Sequence, residues 1–132
     1  MMSPQFLDEK VVRTLIDAFN RRELEPVLKL FAEEVLLRCP GKNRIAGEYR
    51  GRSEVLGFWR KQVELSGGTF KGNVISVLQG ENQLVLISEL SLTRHGKAYT
   101  WRRANHYQFY RNRVIEAWLY ESDQYLADEA FG

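Results

Sequence analysis

The sequence predicts an α+β domain in which three N-terminal helices pack into a strongly curved, mixed or antiparallel sheet. Three observations carry this. Apolar residues recur at helical spacing through most of the first half and at strand spacing through the second. Turn-forming pairs such as His95-Gly96 and Arg111-Asn112 separate the strand-like runs. Between those two turns, Lys97 to Tyr110 is a fourteen-residue run with no Gly or Pro and many aromatic side chains, and it reads as one strand. Fully extended, that run would reach roughly 46 Å. A compact domain of this length has a radius of gyration of only roughly 14 Å. The strand must therefore bend, and a bent sheet has a hollow side.

The elements follow in order. Ser3-Pro4 is a helix start, a capping hydroxyl followed by a proline that loses nothing in the first turn. Leu7, Val11, Val12, Leu15, Ile16 and Phe19 then share a helical face, so the first helix is expected over Pro4–Phe19, with Asn20 in the left-handed conformation at its end. Pro26 opens a short second helix. Glu34–Cys39 reads as a strand stopped by Pro40-Gly41. A polar loop follows, with a short strand expected at Ile45–Tyr49. Ser53 is the expected cap of a third helix that ends at Gly67-Gly68. Strands are expected at Thr69–Leu78, Gln83–Thr93, Lys97–Tyr110 and Arg113–Tyr120, and the tail from Glu121 has room for one more helical turn.

Composition narrows the classes. The 132 residues suit one domain, and a 44% hydrophobic content supplies one core. Nineteen basic and seventeen acidic residues nearly cancel, which gives no electrostatic case for a nucleic-acid or membrane partner. A single cysteine, Cys39, forms no internal disulfide and fits a reducing cytoplasm. The N-terminal residues lack a signal-peptide layout, and no apolar run approaches the length of a membrane span.

Strand alternation sorts the faces. Leu84, Leu86, Ser88, Leu90 and Leu92 point inward, as do Tyr99, Trp101, Arg103, Asn105, Tyr107 and Phe109. On the last strand Ile115, Ala117 and Leu119 are expected inward, with Val114, Glu116, Trp118 and Tyr120 outward. The outer face then carries Val85, Ile87, Tyr110, Trp118 and Tyr120. That is enough apolar surface to expect a homodimer through the sheet.

The runs Asp17–Leu24 and Leu30–Val35 resemble the helix hairpin of the nuclear transport factor 2-like superfamily, as does Tyr49–Val55 leading into Phe58-Trp59. Gly67-Gly68-Thr69-Phe70, Val114-Ile115-Glu116 and Asp123-Gln124-Tyr125 are similar to its SnoaL-like, polyketide cyclase-like branch. The resemblance covers nearly the whole chain. It implies a cone-shaped barrel with a pocket at the wide end, usually dimeric. The superfamily includes ketosteroid isomerase, polyketide cyclases, limonene-epoxide hydrolase and non-catalytic modules, so fold alone does not give function. The isomerase's tyrosine, base and second aspartate match Leu15, Cys39 and Asn105, and all three chemistries have changed. The hydrolase's Asp-Arg-Asp set is also absent around Trp101-Arg102-Arg103.

The candidate site follows from these two lines. Asn105 either orients a ligand carbonyl or hydroxyl or serves as a core amide. Glu121 either acts as a general base at the mouth or is solvated at a strand end. Arg103 either binds a ligand carboxylate or pairs with Glu121 or a tail acid. Cys39, Trp59, Ser88 and Tyr107 complete the expected wall, with Cys39 read as a small apolar core residue ahead of a reactive one. His95 falls on a hairpin tip and His106 on the outer face, and neither has metal-ligand spacing with the other or with Cys39. Gly67-Gly68 closes a helix rather than opening one, so no phosphate loop or cofactor is expected. The expectation is a pocket for a small hydrophobic molecule, with proton-transfer isomerisation or cyclisation as the enzymatic form. In that form Glu121 would be the base and Asn105 the donor. The alternative is a non-catalytic binding or assembly module that works through its outer sheet face.

Overall fold

The computed structural model describes residues 8–132. Its elements are α1 (Glu9–Asn20), α2 (Glu25–Leu28), β1 (Phe31–Cys39), β2 (Gly47–Arg50), α3 (Gly51–Leu65), β3 (Lys71–Gly80), β4 (Gln83–Arg94), β5 (Lys97–Tyr110), β6 (Arg113–Glu121) and α4 (Gln124–Ala130). The six strands form one curved, unclosed sheet in the order β2-β1-β6-β5-β4-β3. Every neighbouring pair is antiparallel except β1 and β6, which run parallel. The α+β class and the curved sheet around helices are as the sequence predicts. No helix among the described residues is long and apolar enough to cross a membrane.

The expected Ser3-Pro4 start lies outside the described residues. Within them Asp8 is the N-cap of α1, its carboxylate accepting from Val11 N at 2.9 Å. The left-handed residue after α1 is Arg22 (φ 68°), not Asn20. Asn20 is occupied otherwise: its amide donates to Gly72 O (2.8 Å) and accepts from Gly72 N (3.1 Å). Arg22 in turn donates to Gly68 O and Phe70 O. These long-range bonds hold the end of α1 against the start of β3, and they outweigh the local preference of asparagine for a helix end.

β1 starts three residues earlier than Glu34, and β2 lies two residues beyond the Ile45 start, with Ile45 itself fully buried in the loop. Arg50 rather than Ser53 caps α3; its N–H is bonded by the Glu54 carboxylate at 2.7 Å. Gly67 and Gly68 both have positive φ and end α3 as expected. The turns His95-Gly96 and Arg111-Asn112 have both residues at positive φ, the signature of tight two-residue hairpins.

Alternation holds on β4, where Leu84, Leu86, Ser88, Leu90 and Leu92 are all buried. On β6 it is corrected. The pairing of β5 with β6 slips between Gln108↔Glu116 and Phe109↔Val114, which leaves Ile115 as an extra residue. That bulge turns Val114 inward, to 1% exposure, and leaves Ile115 half-buried.

The tail does more than expected. Asp123 caps α4, and Ala127, Ala130 and Phe131 are fully buried. Asp128 accepts from Lys42 N, Asn43 and Gln124, and Arg44 N donates to Phe131 O. Phe131 then joins an aromatic chain through the cone, edge-to-face at every contact but the tilted one with Phe70. It touches Trp101 and Phe70; Phe70 meets Phe19, Phe19 meets Trp59, and Phe31 links Trp59 to Tyr107.

Candidate functional site

The site is set by register. β4, β5 and β6 lie side by side, so Ser88, Arg103 and Glu121 form one row across the sheet. Leu86, Asn105 and Leu119 form the next, and Leu84, Tyr107 and Ala117 the one after. All three rows face inward because a two-residue step along a strand returns to the same face. α3 lies over them through Phe58, Trp59 and Gln62.

Between sheet and helices lies a cavity of about 80 Å³. At about 30 Å³ for each water, that is room for roughly three. Most of its wall is apolar, including Ile16, Phe19, Phe31, Trp59, Phe70 and Leu119. The polar wall is Asn20, Gln62, Ser88, Arg103, Asn105 and Tyr107. A second space of about 50 Å³, almost wholly apolar, shares Ile16, Val27, Phe31, Leu86 and Tyr107 with the first.

Arg103 is buried and bound on three sides. Its Nε donates to Glu121 Oε1 (2.9 Å), one Nη to Glu121 Oε2 (2.8 Å) and the other Nη to Gln62 Oε1 (2.7 Å). Trp101 Nε1 also donates to Glu121 Oε1 at 3.0 Å. The two side chains are only 4% and 1% exposed. Burial alone would pull the guanidinium pKa down; the facing carboxylate outweighs it and holds the pKa above its ordinary value. Of the open alternatives, Arg103 takes the pairing with Glu121. Glu121 is neither solvated nor free at the mouth, because its two oxygens take the bidentate fork and the indole N–H.

Asn105 donates through Nδ2 to the Tyr107 hydroxyl at 2.8 Å. Its Oδ1 is buried and has no partner among the described residues. Burial is the main cause that raises the Tyr107 pKa, against smaller downward pulls from Asn105 and Arg103, so the phenol keeps its proton.

Trp59 and Ser88 line the cavity with Arg103, Asn105 and Tyr107. Cys39 does not line it; the thiol is buried in the core at 5% exposure. Burial first, then Glu121 and Asp128, push its pKa from 9.0 to about 12 against the pull of Arg103. Such a thiol is neither a base nor a nucleophile at neutral pH. His95 is exposed, and His106 bonds Gln83 at 2.7 Å on the outer face. The sequence assigns Gln62 no role and Asn20 only that of a helix end. Gln62 stands three and four residues beyond Trp59 and Phe58, on the apolar face of α3, and that was the available signal.

The sequence profile of the SnoaL-like domain matches residues 12–117. The chain belongs to the SnoaL-like family. An uncharacterised protein of Mycobacterium tuberculosis is 30% identical over 98 residues, covering 74% of this chain and 75% of its own. Among solved structures, Bal32a from a soil-derived mobile gene cassette superposes with a TM-score of 0.87 at 28% identity, covering 93% of this SnoaL-like chain and 95% of its own. TerC, co-crystallised with polyporic acid, superposes with a TM-score of 0.79 at 15% identity, covering 93% and 95%. At that identity TerC supports the cone fold and nothing finer.

The buried pair gives a direct test. Glu121→Gln leaves the Arg103 charge buried and unpaired, so it should lower unfolding stability by about 3–5 kcal/mol in urea denaturation. Replacing both partners with apolar residues (Arg103→Met with Glu121→Leu) should recover most of that loss. A Glu121→Gln loss below about 1 kcal/mol would mean the pair is not buried as described.

Proposed function

We propose that this SnoaL-like chain binds a small, mostly apolar molecule inside the cone and holds it without transforming it. The observation that carries this is a half-open, largely apolar cavity lined in part by Asn105, whose Oδ1 is buried and has no partner among the described residues. An unmet buried polar atom costs about 1–3 kcal/mol, and a ligand or trapped water that meets it removes that cost. TerC is an instance of the same fold co-crystallised with an organic molecule.

Holding is favoured over proton transfer because the wall has spent its ionisable groups. Arg103 and Glu121 neutralise each other, and Tyr107 stays protonated. An isomerase or cyclase built on Glu121 as base and Asn105 as donor would first have to detach Glu121 from Arg103. That step exposes a buried charge and is costly. A ligand that itself bonded the guanidinium could drive it, and this is the form in which the proton-transfer alternative survives.

The proposal includes a homodimer through the outer sheet face, in the cytoplasm. Tyr110 (60% exposed) and Tyr120 (53% exposed) stand on that side, with Leu78 on β3 at 55%. Trp118, half-buried there, carries the Arg38 guanidinium 4.1 Å from its ring.

Two measurements test these points. A thermal-melt screen across ketones, terpenoids and fatty acids should find at least one class that raises Tm, and the rise should vanish when Leu86→Trp fills the cavity. No shift with any class would leave the assembly role as the better function. In sedimentation, the parent chain should run as a dimer and Tyr120→Lys as a monomer; a monomeric parent would remove the dimer.

A further inference from the structure

The unmet group at the cavity wall is a specific one, and its neighbour is specific too. Asn105 and Tyr107 stand two residues apart on the inner face of β5, with a 2.8 Å bond between them. In that bond the amide Nδ2 donates and the phenol oxygen accepts. Among the capacities left over, two stand at adjacent points: Asn105 Oδ1 accepts, and the Tyr107 O–H donates. If the amide is turned over, the leftover pair reverses, an amide N–H that donates and a phenol lone pair that accepts. In both orientations the wall offers one donor and one acceptor side by side.

A ketone only accepts, so in the arrangement described it meets Tyr107 and leaves Asn105 Oδ1 unsatisfied. An ether has the same defect. A hydroxyl both donates and accepts, and it meets the two leftover capacities in either amide orientation. Charge adds a second constraint. The cationic group on the wall, Arg103, is already held by both oxygens of Glu121, so the pair presents no net charge. An anionic ligand would have to displace Glu121, and a cationic one Arg103. The remaining wall is largely aliphatic and aromatic.

We infer that the cone selects a neutral, hydroxyl-bearing hydrophobic molecule, an alcohol or phenol, whose O–H donates to Asn105 and whose oxygen accepts from Tyr107. This rests on the cavity-binding function proposed above and narrows it.

Three probes of nearly equal size separate the two ideas: cyclohexanol, cyclohexanone and methylcyclohexane, titrated into the full chain by NMR chemical-shift perturbation. The cavity should take all three, with cyclohexanol tighter than either other probe by about tenfold, the worth of one or two buried hydrogen bonds. Tyr107→Phe and Asn105→Leu should each reduce that preference to about twofold or less while methylcyclohexane still binds. Tyr107→Phe keeps the ring against Phe31 and so preserves the fold if Asn105→Leu does not. Equal or tighter binding of cyclohexanone overturns the hydroxyl assignment and leaves cavity binding intact. So does a cyclohexanol preference that survives both variants, because the hydroxyl would then sit elsewhere. Cyclohexanol shifts confined to residues outside the cavity also overturn it. If none of the three binds, cavity binding of small neutral molecules fails as well, and Asn105 Oδ1 is met by trapped water.

Discussion

The buried Arg103–Glu121 pair is the interaction on which the interior depends. β5 contributes the cation, β6 the anion, α3 the Gln62 amide and β5 again the Trp101 indole N–H. Burying either charge alone would be prohibitive, so the strands must hold the register that brings Arg103 opposite Glu121. Once that row is fixed, the two-residue period of the strand fixes the next two. Asn105 and Tyr107 are carried inward with it. A one-residue slip would turn all of them to solvent, so the pair enforces the register of the whole site.

The same pair shapes the chemistry of the hollow. A salt bridge whose two carboxylate oxygens are both taken contributes no free base and no net charge. The polar wall that remains is neutral: two asparagine amides, a phenol, a serine hydroxyl and a glutamine. Such a wall orients a molecule by donors and acceptors rather than by charge. It differs from the isomerase pattern at the three matched positions, where Leu15, Cys39 and Asn105 stand, and Cys39 is withdrawn into the core with its pKa pushed up to about 12.

Much of the fold was legible in the sequence because its signals are local. β4 alternates cleanly, and the His95-Gly96 and Arg111-Asn112 turns carry Gly or Asn at their second positive-φ position. The length of β5 forces a bend. The misreadings arose where distant contacts override local preference. Asn20 is recruited by Gly72 across the chain, so Arg22 takes the left-handed position. Glu54 bonds the Arg50 N–H, and Ser53 is not the cap. The Ile115 bulge changes parity on β6, and only the pairing with β5 and β1 reveals it. Parity put Arg103, Asn105 and Tyr107 on the inner face, where they line the cavity. It could not tell that Glu121 would be sealed by Trp101 and Arg103 rather than left at the mouth. Gln62 was missed because a single polar residue on an apolar helix face reads as a flaw until its partner is seen.

The central claim is that the Asn105–Tyr107 wall exists to meet a ligand. A crystal structure of the protein soaked to saturation with cyclohexanol tests it most directly. The account predicts the alcohol oxygen within hydrogen-bond distance of both Asn105 and Tyr107, with Arg103 and Glu121 still paired. A cavity holding only water bonded to Asn105, or a collapsed cavity with that amide bonded to protein, would contradict it.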